Sequence, residues 1–198
     1  MKPTTRQLCF AALFLALGLL LPFLTGQIQQ IGNKLLPMHL PVFLCGWICG
    51  WPYGLAVGLV LPLLRSALFF MPPLYPVGIA MAAELATYGL LSGWVYDMLG
   101  RRFRCMSTAT PNGKQTLVAL YAALLAAMIA GRVVWGVAEV LLLGLGESGF
   151  TWQMFVAGAF VNAIPGILLQ LILLPALMLA LMHTGLVPVR RERDVAHE

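Results

Sequence analysis

Charged residues are scarce in this sequence: 10% of its 198 residues are Asp, Glu, Lys or Arg, against 61% hydrophobic. Soluble domains run at roughly 45–50% apolar and about 25% charged, so a water-soluble fold is excluded. Nearly every long stretch is apolar enough to cross a bilayer, which leaves no room for a separate soluble domain. Nucleotide-hydrolysing machinery is missing as well. A P-loop needs G-x-x-x-x-G-K-[ST], and the nearest fragment, Asn112-Gly113-Lys114-Gln115, lacks both the first glycine and the hydroxyl. There is no HExxH, and the charges within apolar segments are too few and too mixed for a dedicated metal site, so neither metal nor cofactor is expected. The four cysteines (Cys9, Cys45, Cys49, Cys105) fall in or near apolar helices and a basic loop, which suits buried free thiols rather than a disulfide framework. Cys45 and Cys49 share a helical face without a nearby His or carboxylate set, so packing is expected of them. The stretch Leu8 to Leu24 has no A-x-A-like cleavage site and is longer than a signal-peptide core, so it reads as a retained helix.

What is present is a series of apolar segments divided by turn-forming residues. They predict an all-α integral membrane bundle, 1–198, of six transmembrane helices at about 7–25, 36–51, 53–71, 76–98, 115–144 and 152–184. The second is short for a span of about 20 residues and must rely on flanking residues or on burial among its neighbours. The fifth and sixth are long enough to tilt or to extend past the bilayer. An N-in, C-in arrangement places nine of the twelve Lys and Arg on the cytoplasmic side and Lys34 alone outside, with Arg65 and Arg132 inside spans. The formal charge of +5 is thereby a matter of loop topology in a plasma-membrane protein, and no nucleic-acid partner is implied. RRFRCMSTATPNGK (101–114) becomes a cytoplasmic loop. Gly46, Gly50, Gly54 and Gly58 recur every four residues around Trp51-Pro52-Tyr53, a spacing that lets helices two and three approach closely.

Counting about 1.5 Å per residue from the outer ends gives a depth for each polar residue. Arg65 lies about 10 Å below the outer end of helix three, and Glu84 reaches a similar level in helix four. Arg132 is a little deeper in helix five, with Glu139 two turns above it on about the same face. Asn162 and, deeper, Gln170 come from helix six. Two readings are open. In one, these groups satisfy each other as structural pairs, Arg65 with Glu84 and Arg132 with Glu139. In the other, they line a solute cavity open to the outside, with Trp135, Trp152, Tyr75 and Phe69 supplying apolar contact. Arg65 then buttresses the wall beside Glu84, and Arg132 is the better candidate to touch solute.

The outer first loop (25–41) adds amides and His39 near the mouth and is long enough to form a lid. His39 either caps the short second helix or contacts a ligand. Gly146-Glu147-Ser148-Gly149 fits the G-x-S-G pattern of rhomboid proteases. The later histidine, His183, falls roughly 45 Å along helix six from its outer start, so a Gly-rich turn is the expected reading.

Ala12-x-x-x-Ala16, PMHLPVFLCGWICGWPYGLAVG (37–58), PLLRSALFFMPP (62–73) and AMAAELATYGLLSG (80–93), in that order, resemble the substrate-binding S component of energy-coupling factor (ECF) transporters. The resemblance covers nearly the full chain. It implies a vitamin- or micronutrient-capture subunit that works with a transmembrane T component and two ABC ATPases. On this footing Ala12 and Ala16 form the T-component interface, solute binds near the outer side, and the subunit topples to deliver it. No signature of the riboflavin, thiamine or biotin branches is present. Arg65 and Arg132 lean toward an anionic solute, first a pantothenate-like acid. Glu84 and Glu139 keep a neutral or cationic ring compound in play. The alternatives are a stand-alone secondary transporter, for which neither internal repeats nor broken helices are evident, and an intramembrane enzyme.

Overall fold

The computed structural model describes residues 5–24, 36–106, 113–144 and 163–184. They form six α-helices and no strand: α1 Thr5–Leu24, α2 His39–Cys49, α3 Trp51–Phe69, α4 Ile79–Met106, α5 Gly113–Leu143 and α6 Ile164–His183. Between α3 and α4 lies a π-type turn, Leu74–Gly78, in which Tyr75 is extended at φ −115° and ψ 135°. Five of the helices are long and apolar enough to cross a membrane. The exception is α2. At 11 residues it rises about 16 Å, roughly half a hydrocarbon core. Ten of its residues are buried, all but Leu40, so its ends face protein instead of lipid.

α4 is the hub, packing against α2, α3 and α5; α1 lies on α2 and α3, and α6 on α2 and α5. The glycine stripe brings α2 and α3 together as expected, a Cβ at Gly54 falling 2.8 Å from the Gly46 Cα, and it also takes a further partner, α4. A Cβ at Gly58 would run into the Leu85 carbonyl, and one at Gly93 would lie 2.6 Å from the Gly46 carbonyl oxygen and 2.7 Å from the Trp51 nitrogen. Gly54 and Gly89 meet backbone to backbone. The missing side chains therefore seat α4 between α2 and α3, in a setting where close packing, not exclusion of water, holds helices together. Gly50 takes a positive φ of 102° between α2 and α3, a conformation that suits glycine.

α5 illustrates how composition sorts faces. Ala119, Ala123, Ala127 and Gly131 are buried four residues apart, while Val118, Leu125, Ile129, Val133 and Val137 are exposed on the far side, where a membrane helix meets lipid. α4 runs beyond the expected limit at 98 to Met106, so Arg101 and Arg102 extend the helix and do not open the loop. A long helix tolerates this because the basic residues stand past the apolar stretch. Of the expected sixth span, 152–162 lies outside the described residues, as do most of the outer first loop and the Gly146–Gly149 motif. Cys45 and Cys49 are buried thiols in no disulfide, whereas Cys9 is exposed on α1, against the expectation of burial.

Candidate functional site

The site is built around Glu84. As α4 descends from the π-type turn, its second turn points this carboxylate inward, where it is 2% exposed. A carboxylate that far from water needs a counter-charge and hydrogen bonds. α5 supplies the first: Arg132 Nη1 lies 3.0 Å from Glu84 Oε1. α4 itself supplies the second, because Tyr88 one turn on donates its hydroxyl to the same oxygen at 2.6 Å. α2 brings His39, whose Nε2 is 3.8 Å from that oxygen. Three helices thus converge on one carboxylate oxygen, and Arg132, Tyr88 and His39 are 8%, 1% and 1% exposed. Gly131 makes the approach possible: a Cβ there would fall on the Tyr88 ring, 2.9 Å from its Cζ.

An aromatic column continues from the cluster. The Tyr88 ring is 5.2 Å from the His39 ring and stacks on Phe43 at 5.0 Å and 28°. Phe43 leads to Trp47 at 6.3 Å, and Trp47 to Tyr96 at 6.4 Å. His39 does not cap α2; Met38 occupies the cap position without a side-chain hydrogen bond, and the imidazole turns to Glu84. Neither imidazole nitrogen has a hydrogen-bond partner among the described residues, and the same holds for Gln170 Nε2 and Trp47 Nε1.

The expected pairs Arg65–Glu84 and Arg132–Glu139 do not form. Leu61, one turn before Arg65, packs against Gly18, so this end of α3 faces α1. Arg65 follows, donating from Nη1 to the Leu19 carbonyl at 3.2 Å, with its guanidinium 5.6 Å from the Phe23 ring and 5.9 Å from the Phe69 ring. Arg132 cannot serve Glu139 because seven residues separate them by about 10 Å along α5, and its head is already held by Glu84. Glu139 is 5% exposed and has no ion pair or hydrogen bond among the described residues. Trp135, half-buried, lies between Arg132 and Glu139 in sequence on the same helix. Tyr75 is exposed and donates to the Leu142 carbonyl, fastening the turn before α4 to α5. Asn162 and Trp152 lie outside the described residues. Ala12 and Ala16 are exposed on the uncovered side of α1.

Sequence reasoning did not single out Tyr88 and Phe43. The signal was there: each stands four residues after a chosen polar residue, Glu84 and His39, and so on the same helical face.

Compared with family models, the chain matches the one described as ECF transporter, substrate-specific component, over residues 6–178. No curated protein matches it, and no solved structure does.

Proposed function

The chain belongs to the family of ECF-transporter substrate-specific components, and from that premise we propose that it captures a vitamin or related micronutrient at the Glu84 cluster. Family and helices together make it a multi-pass membrane protein and a substrate-binding subunit of a transporter, in a family that works with a T component and ATPases. The observation that carries the site is the convergence of His39, Tyr88 and Arg132 on Glu84 from three helices, with imidazole nitrogens left unpartnered. Buried polar atoms are ordinarily bonded, so such a cluster is suited to a guest that completes it. Glu139 and Trp135 extend the site outward along α5, and Asn162 belongs to it on the sequence reading. Arg65 serves as the wall, holding α3 to α1 behind the cluster.

Both termini stand in the cytoplasm on this reading, because the basic residues gather on that side. The T component docks on the small, exposed face of Ala12 and Ala16, and the subunit topples to release solute inward. Copurification with a T component and two ATPases, and uptake that stops when those ATPases are inactivated, is the expected outcome. Uptake that persists on an ion gradient alone would sink the proposal in favour of a secondary transporter. Ala12→Leu or Ala16→Leu should abolish uptake while leaving solute binding intact; loss of binding in a well-folded variant would count against the docking face.

A further inference from the structure

Charge balance within the site narrows the solute. An anionic solute draws its appeal from Arg65 and Arg132, yet both guanidinia are engaged within the protein: Arg65 on the Leu19 carbonyl and two aromatic rings, Arg132 on Glu84. The cluster and the helix that supplies its arginine hold two buried carboxylates, Glu84 and, two turns from Arg132 on α5, Glu139, against that one arginine. Glu84 has three groups converging on it; Glu139 has no ion pair or hydrogen bond among the described residues. A proton on His39 would bring the cluster only to neutrality, not to the positive charge that draws an anion. A solute carboxylate would add a third negative charge where the dielectric is low and repulsion strong.

A second observation is independent of charge. His39 is 1% exposed, turned toward Glu84, and lacks a hydrogen-bond partner at either ring nitrogen among the described residues. The groups left open are therefore an acceptor, Glu139, and an imidazole that can accept or donate. Beside the imidazole the Tyr88 ring stacks on Phe43 at 28°.

Resting on the capture reading above, we propose that the solute is a flat, nitrogen-bearing ring compound that is cationic or rich in N–H groups, anchored on Glu139 and touching His39. Its N–H edge or positive charge makes a charge-assisted hydrogen bond to the Glu139 carboxylate. Carboxylic acids and phosphate esters are disfavoured as solutes.

The test uses the purified full-length protein, with thermal-shift and calorimetric titration of thiamine, pyridoxamine and 7-aminomethyl-7-deazaguanine against pantothenate and biotin. A ligand that binds only the folded state raises its unfolding midpoint. At least one of the three nitrogen rings should do so and neither acid should. Glu139→Gln, which keeps the side chain's shape, should weaken that ring's binding by about tenfold or more. Stabilisation by an acid, silence from all three rings, or an unchanged affinity in Glu139→Gln overturns the assignment of solute class. Failure of the capture site itself looks different: a ligand of either class binds, and folded His39→Gln, Tyr88→Phe and Glu139→Gln variants all keep its full affinity.

Discussion

The two buried arginines solve the same problem in opposite ways. Arg65 is 5% exposed and is met by a backbone carbonyl and two ring faces, none of which carries a formal charge. Arg132 is 8% exposed and is met by a carboxylate that a tyrosine also bonds and a histidine approaches. The first arrangement joins α1 to α3 and leaves no titratable partner among the described residues. The second gathers side chains from α2, α4 and α5 and leaves imidazole nitrogens without partners. A charge inside a membrane protein is thus not by itself a mark of function; its company decides.

Breaking the carboxylate should have the largest effect. Glu84→Ala strands the Arg132 guanidinium and the Tyr88 hydroxyl, and removing one partner of a buried pair costs about 3–5 kcal/mol. A sharp fall in the unfolding midpoint in detergent is expected; an unchanged midpoint would show that the pair contributes little to the fold. Next in size, a double-mutant cycle between Arg132→Met and Glu84→Gln should give a coupling of about 1–3 kcal/mol, whereas the Arg65→Met cycle with Glu84→Gln should be additive within about 0.5 kcal/mol. Equal couplings would erase the contrast between the two arginines. Gly131→Val should then push the Tyr88 ring off the cluster and lower solute affinity by about tenfold, as loss of one hydrogen bond to a charged group implies; undiminished affinity would mean that Tyr88 is not needed there. The smallest effect belongs to the other arginine. Phe69→Leu removes one ring face from Arg65 and should cost about 0.5–1 kcal/mol with solute binding unaltered. A binding defect in that variant would place Arg65 in the site after all.

The contrast was only half legible in the sequence. Relative depth was readable, because helical rise per residue is constant: Glu84 and Arg132 were assigned to nearly the same level, and their contact agrees with a shared level. The shortness of α2 was readable for the same reason, and its burial among neighbours answers it. Direction was not readable. Which neighbour a side chain faces depends on how far each helix is rotated about its axis and on which helices touch, and a single sequence carries neither. Hence Glu84 was matched with Arg65 from the preceding helix, while its partner came from the following one. The glycine stripe was legible in part: Gly46 and Gly54 do bring α2 and α3 together, but nothing in the spacing told that α4 would approach the same stripe. Tyr88 escaped because an aromatic residue in an apolar run resembles any other core residue until its hydroxyl is seen to have a destination.

The short helix α2 also carries a row of rings away from the cluster. From His39 to the turn at Gly50 it rises only about 16 Å, and along that distance ring contacts run from Tyr88 to Phe43, Trp47 and Tyr96. Packed rings of this kind transmit strain rather than absorb it, so the far end of α2 is mechanically joined to the cluster. A displacement of Trp47 or Tyr96 is therefore felt at His39.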